Sequence, residues 1–404
     1  MNYHRWEEGL DDSSYFETIC IGAAVKPLNN ALTGKGDDDM KNCHEEMIEY
    51  HDVEVTLPHK ERVEMHDRRN ANRKRLKNGL KRDGEPASIG CRSQGSYAMR
   101  TMVQQPDKDY DIDDGVYFDK ESLKGPQGGD KSASDAKEMV RCALYDESFK
   151  RPPEKLKNCV RIYYDAGYHV DIPVYRQVTE TNAWGDEVIR YELASSDWKQ
   201  SDPLAVTDWF LEANKTQSPD GGNGGQLRRI VRLLKAFASS RQTWRDRIAT
   251  GFMISILVVE RYVADERRED KVLYDTMVAI RDRLNWDLEI RHPVIAGETL
   301  TKGPDDSRTK FLREKLDWAI GELGMVFDAN CSRKQSLQAW DKVFNTAFFV
   351  GCLEGDEEKN QKNVGAGAAA IALGVGAAAA LLIKGAEKSA TEQPVDKRGG
   401  GRYA

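Results

Sequence analysis

The sequence predicts an α+β fold, and three observations carry that reading. Two apolar segments, DYDIDDGVYF ending at Phe118 and HVDIPVY at residues 169–175, alternate as strands do while carrying acidic residues. A small-residue turn, Gly95-Ser96, precedes the first of them. From about residue 203 the apolar positions recur at helical spacing instead, most plainly as Leu227, Ile230, Val231, Leu234 and Phe237. A sheet-bearing lobe at residues 57–202 and a helical lobe at 203–361 are therefore expected, with a lead-in at 1–56 and a flexible tail at 362–404.

The acidic strands carry the chemistry. Asp111 and Asp113 point the same way from a strand, with Ile112 turned into the core. Two carboxylates side by side repel each other, and a divalent cation removes that cost; hard oxygen ligands suit Mg²⁺ or Mn²⁺. Asp171, between Val170 and Ile172, is the third acidic position, on a strand that follows the turn Asp165-Ala166-Gly167. Gly95-Ser96 offers backbone N–H groups at a helix start, where a phosphate can sit. A lone Gly-Ser is uninformative, and a lone Asp-x-Asp is more often a solvated loop. The ordered set with apolar flanks reads as a site. Asp114, facing the other way beside Gly115, is expected to have a structural hydrogen-bonding role.

A Gly-Ser turn, an Asp-x-Asp strand and a later acidic strand resemble the polymerase-β-like nucleotidyltransferases. QGSYAMRT, DYDIDDGVYF, HVDIPVY and LRRIVRLLKAF together resemble the cGAS/DncV-like nucleotidyltransferases (CD-NTases) of bacterial CBASS antiphage defence, over roughly residues 55–350. DIDDGVYF resembles the dinucleotide-cyclase branch most. The resemblance implies a nucleotidyltransferase palm with a small mixed sheet, and Asp111, Asp113 and Asp171 as catalytic residues binding two Mg²⁺ ions. It implies nucleotide contacts along Gln94, Gly95, Ser96 and Tyr97, and at Arg161, Lys235 and Thr250. Arg161 lies on the strand before the third acidic one, so it can equally pair with the carboxylates. Thr250 stands in Ala249-Thr250-Gly251, where the family usually has a Pro-Ser-Gly-like turn; its hydroxyl is kept and the proline is missing. HPVIAGETLTKG resembles the family's loop over the base.

The remaining elements follow in order. Cys43, His44, His51, His59 and His66 match no zinc-site spacing, and the histidines read as solvated helix residues. Leu57-Pro58 opens a basic helix with a narrow apolar stripe through Val63, Ala71 and Leu76, and the family resemblance makes it a spine bracing both lobes. Pro106-Asp107 falls in the loop before the acidic strand, and SLKGPQGGDKSASD is a turn-rich surface insertion. SDAKEMVRCALYDES, capped by Ser134 or Asp135, reads as an amphipathic helix over the sheet. Ser201, Asp202 and Pro203 open the next helix, and SPDGGNGGQ connects it to the basic-faced helix with Arg228, Arg232 and Lys235. IATGFMISILVVERYV reads as a buried helix, and TKFLREKLDWAIGELG and SLQAWDKVFNT complete the lobe.

Composition bounds the partners. Lys+Arg 60 against Asp+Glu 67 leaves −7, so no global basic field gathers a long nucleic acid, and small nucleotides fit better. Seven scattered cysteines suggest a reducing compartment, and the polar start MNYHRWEEGLDD reads as no signal peptide; the cytoplasm is expected, and the resemblance implies a bacterial one. Val364 to Ile383 are 20 uncharged residues, but nine are Ala and four Gly, which drive insertion poorly, so a linker is expected rather than a membrane span. The last stretch has the composition of a disordered tail.

The resemblance implies a synthase that joins ATP, and GTP or another NTP, into a cyclic di- or trinucleotide (cGAMP-like) messenger read by a downstream effector. A transferase acting on a protein, tRNA or small-molecule acceptor would share the triad. An inactive nucleotide-binding subunit would have no use for it. The ending Gly399-Gly400-Gly401-Arg402-Tyr403-Ala404 resembles family tails whose final residue, here Ala404, an E1/E2-like enzyme conjugates to another molecule.

Overall fold

The computed structural model describes residues 40–105, 110–164, 167–220 and 224–353. Pro106-Asp107, the Asp165-Ala166 turn, the 364–383 stretch and Ala404 lie outside the described residues.

Helix α1 (His44–Tyr50) runs on into one π-helical turn at His51–Val55. The basic helix α2 (His59–Arg82) starts just after Pro58, as proline at a helix start allows. β1 (Gly90–Gln94) leads directly into a single helical turn, α3 (Gly95–Ala98), and the acidic strand is β2 (Asp111–Asp119). Helix α4 (Ala133–Ala143) is capped by Ser132, whose hydroxyl accepts the Asp135 N–H, rather than by Ser134 or Asp135. Then come β3 (Glu154–Lys155), β4 (Val160–Tyr163), β5 (His169–Ile172), β6 (Val174–Thr181), β7 (Glu187–Ala194) and β8 (Trp198–Gln200). The helical half comprises α5 (Pro203–Gln217), α6 (Gln226–Ser239), α7 (Gly251–Arg261), α8 (Glu269–Trp286), α9 (Ser307–Leu323) and α10 (Arg333–Phe344).

The eight strands form one mixed sheet. β2 pairs with β1 in antiparallel fashion on one edge, and with β5 and then β6 in parallel on the other. The offset is constant, Asp113 opposite Asp171 and Val116 opposite Val174, so β5 and β6 are one strand interrupted at Pro173. Proline has no N–H to give the ladder, but its carbonyl still accepts the Val116 N–H at 2.9 Å. β4 flanks β5 and β7 flanks β6, both antiparallel.

Two hydrophobic cores result. One joins the sheet to α2 and α4 through Ile112, Val116, Phe118, Val140 and Val170. The other fills the helical half around Phe237, Leu257 and Trp340. Met40, Cys43, Met47, Tyr50 and Val55 belong to this second core, so residues 40–55, read above as lead-in, are part of the helical half.

The spine helix departs from its expected stripe. Val63 is exposed and the buried positions are Met65, Asn72, Leu76, Gly79 and Leu80. Its arginines extend the contact. The Arg68 guanidinium lies over the Tyr164 and Tyr168 rings, at 4.9 and 4.5 Å from their centroids. Gly79 has no room for a side chain, since a Cβ would lie 1.8 Å from the Ala143 carbonyl.

Candidate active site

Strand register builds the site. Asp111 and Asp113 project from the same face of β2, and Ile112 between them is fully buried on the other. Asp111 stands opposite His169 and Asp113 opposite Asp171 on β5. On β4, Arg161 stands opposite Asp171 and Tyr163 opposite His169. Gln94 of β1 stands opposite Asp113. One sheet face therefore presents Gln94, Asp113, Asp171 and Arg161 in a row, with Asp111, His169 and Tyr163 in the row beside it.

The charges on this face are unevenly matched. Asp171 is fully buried, and both its oxygens accept from Arg161: Nε to Oδ1 and Nη2 to Oδ2, each at 2.7 Å. The same Nη2 reaches Asp111 Oδ1 at 3.5 Å. His169 Nε2 also contacts Asp111 Oδ1. Asp113 has the least compensation. Burial, then the Asp171 and Asp111 carboxylates, push its pKa well above the usual carboxylate range, with Arg161 opposing only in part.

Asp114 faces away and takes the structural role expected of it. Arg73 of α2 grips it with two bonds, Nε at 2.8 Å and Nη2 at 2.5 Å, and the Ser93 hydroxyl adds a third at 3.1 Å.

The Gly-Ser turn sits against these carboxylates. Gly95 adopts φ +62°, and a Cβ there would lie 2.6 Å from Asp113 Oδ2. Only glycine suits both the backbone angle and the contact. Gln94 is buried, and its amide donates to the Tyr175 hydroxyl at 3.0 Å. It lies over Gly115, where a Cβ would come within 2.6 Å of Gln94 Oε1. Tyr97 lies under the Arg69 guanidinium, which is 5.7 Å from its ring centroid.

The basic face of α6 meets the segment after the turn. Thr101 N–H bonds Ser96 O at 2.9 Å, and Lys235 Nζ donates to Thr101 Oγ1 at 2.8 Å. Arg232 Nε donates to the Arg100 carbonyl at 2.8 Å, and Arg100 itself adopts φ +57°. Arg228 is buried rather than lying on a solvated face. Burial, with Arg232 adding to it, pushes the Lys235 pKa down to about 7. Thr250 is the N-cap of α7, its hydroxyl accepting the Met253 N–H at 3.3 Å, and a Cβ on neighbouring Gly251 would lie 3.2 Å from Lys235 Cε. The structure thus gathers Ser96, Thr101, Lys235 and Thr250 in one region, and Asp111, Asp113, Asp171 and Arg161 in the adjoining one.

One histidine differs from expectation, and another was not foreseen. His51 is buried rather than solvated; desolvation, offset in part by its bond to Asp52, pulls its pKa down to about 4. His169 lies within the carboxylate group. Its signal in the sequence was position alone, two residues before Asp171 and on the same strand face.

The donor set suits a hard divalent cation, being three carboxylates on one sheet face whose mutual repulsion is least compensated at Asp113. Among the described residues no three acidic, His or Cys side chains are already drawn into a cage. Asp171 is held by Arg161 instead, and Asp111 is shared between Arg161 and His169.

A mixed sheet carrying this acidic face, packed on a helical half, is the polymerase-β-like nucleotidyltransferase fold. Residues 90–175 match the family of DncV-like cyclic GMP-AMP synthases over its nucleotidyltransferase domain. Over this segment the chain is similar to the cGAS/DncV-like nucleotidyltransferases. It is 30% identical over 239 residues to a cyclic GMP-AMP synthase of Escherichia albertii, a match covering 55% of this chain and 48%, about half, of that protein. Among solved structures it resembles Vibrio cholerae DncV cyclic AMP-GMP synthase bound to a linear intermediate, with TM-score 0.57 and 17% identity over 76% of this chain and 96% of the other. Escherichia coli CdnC, in complex with a HORMA protein, gives the same TM-score and identity over 76% and 98% of the two chains.

Among the described residues no helix is long and apolar enough to cross a membrane.

Proposed function

We propose that the protein is a metal-dependent synthase that joins NTPs into a cyclic di- or trinucleotide and releases pyrophosphate. The observation that carries this reading is the register of β2 and β5, which sets Asp113 beside Asp171 with Asp111 on the same face, directly under the Gly95 turn.

Asp111, Asp113 and Asp171 would hold Mg²⁺ or Mn²⁺, which when bound offsets charge on the triphosphate and lowers the pKa of the attacking hydroxyl. The chain's own residues do the rest. The Gly95-Ser96 backbone approaches the phosphates where a side chain would block them. Lys235, at the junction of α6 and Thr101, supplies a point charge to the triphosphate when protonated. Arg161 adds a second cation on the β4 side, and Thr250 caps α7 next to Gly251, which packs against Lys235. Ring closure requires the linear product to turn over between two nucleotide positions. ATP with GTP or another NTP are the proposed substrates, supported by the names of the relatives above, and an effector that senses the product, in antiphage defence, is the proposed partner. A regulatory protein is a further proposed partner, by analogy with the HORMA complex of CdnC. We also propose that Ala404 is conjugated by an E1/E2-like enzyme.

Asp111→Ala with Asp113→Ala, and separately Asp171→Asn, tests the triad. Both should abolish pyrophosphate release from NTPs while leaving the circular-dichroism spectrum unchanged. Turnover near that of the unaltered protein would refute the assignment.

A further inference from the structure

We propose that Arg161 is a placeholder for the catalytic cation: in the free protein its guanidinium occupies Asp171, and it gives up that carboxylate and turns to the triphosphate when metal and NTP load. The proposal rests on the nucleotidyl-transfer reading above. Three features support it. The pair is bidentate at 2.7 Å on both arms, so a single side chain engages both oxygens of a carboxylate that metal binding needs. The same guanidinium reaches a second carboxylate, Asp111, at 3.5 Å, and so lies between two members of the triad rather than behind one. Both partners are buried and sit opposite each other on neighbouring strands, so the pair is set by the sheet and not by a chance meeting of surface chains.

Such an arrangement orders the loading of the site. A buried Asp171 without a counter-charge would be costly, so an empty site keeps Arg161 in place. A metal ion alone must displace a fork that is already well made. Metal arriving with a triphosphate offers Arg161 a new anion, so the exchange conserves the number of paired charges. Free metal should bind weakly, and metal with nucleotide cooperatively.

The test measures Mn²⁺ binding to the purified full chain by electron paramagnetic resonance of the free ion, with and without a non-hydrolysable ATP analogue. Arg161→Lys keeps the charge but cannot form the planar fork. Losing one charge-assisted, bidentate contact should tighten nucleotide-free Mn²⁺ binding about tenfold or more. The analogue should then add less to Mn²⁺ affinity in Arg161→Lys than in the unaltered protein. Arg161→Gln, which also lacks the fork, guards against a lysine that does not fit, and should tighten nucleotide-free binding at least as much. If Arg161→Lys binds Mn²⁺ as the unaltered protein does while Arg161→Gln binds it more tightly, the effect is net charge alone and the placeholder is refuted. It is refuted as well if neither variant changes nucleotide-free Mn²⁺ binding. The Asp111→Ala, Asp113→Ala double variant separates the two levels. Should the unaltered protein with the analogue present bind no Mn²⁺ that this variant loses, the metal-site reading falls, and the placeholder with it.

Discussion

Asp113 concentrates the electrostatic problem of the site in one carboxyl group. Its pKa is raised by burial and by two neighbouring carboxylates, so without metal the folded protein holds this proton more tightly than the unfolded chain does. The stability it contributes is full below the ordinary carboxylate pKa of 3.8 and is lost as pH rises through the folded value. Asp113→Asn should therefore raise the metal-free Tm at neutral pH, with the gain shrinking towards acid, while abolishing synthesis. Thermal unfolding at several pH values in EDTA checks this, and equal shifts at all of them would contradict it. Lys235 has the opposite sign. With its pKa lowered to about 7, protonation of the buried amine opposes folding fully below pH 7, and the penalty fades between pH 7 and the ordinary lysine value of 10.5. Lys235→Met should thus be more stable than the unaltered protein at pH 6, with the difference closing towards pH 10. The same variant should weaken NTP binding by about 1.5–3 kcal/mol, the worth of a hydrogen bond to a charged group. Unchanged affinity by calorimetry would remove Lys235 from the site.

At the scale of elements, the site depends on turns and tethers that fix strand positions. Gly95 joins β1 to α3 at a left-handed angle and in contact with Asp113. Gly95→Ala should cost about 1–2 kcal/mol from backbone strain and displace the carboxylate, so turnover should fall far more than stability. Denaturant titration beside pyrophosphate release separates the two effects. Arg73 ties α2 to β2 through Asp114. Arg73→Ala leaves a buried carboxylate unpaired and should cost about 3–5 kcal/mol; a loss below about 1 kcal/mol in the same titration would show that the tether is incidental. These elements differ in how far the sequence reveals them. Period-two alternation around Ile112 and Ile172 revealed both acidic strands, because a one-residue slip would have turned the carboxylates into the apolar core on the opposite face. Sequence spacing cannot show that Arg161 grips Asp171, since that follows from the β4–β5 register across a turn. The α2 stripe differs from its apolar spacing because the Arg68 guanidinium, stacked on Tyr164 and Tyr168, completes a face that apolar spacing leaves narrow.

For the whole molecule, the division into a sheet-bearing half and a helical half was legible from the change of period near residue 203. The return of residues 40–55 to the helical half was not, because that pairing joins α1 to α8 and α10 across more than 200 residues, as when the Cys43 N–H bonds Asp270 Oδ2 at 2.8 Å. The burial of His51 follows from the same packing. Coexpression with an E1/E2-like partner addresses the chain's end: higher-mass species should appear and be lost on Ala404→Glu, with synthesis by the purified protein unchanged. The central claim is tested most directly by incubating the purified chain with labelled NTPs and Mg²⁺, with no acceptor added, and separating the products by chromatography with phosphodiesterase mapping. A cyclic oligonucleotide and pyrophosphate are expected, both absent from the Asp111→Ala, Asp113→Ala double variant. Label that enters product only when a protein, tRNA or small-molecule acceptor is supplied would contradict the claim.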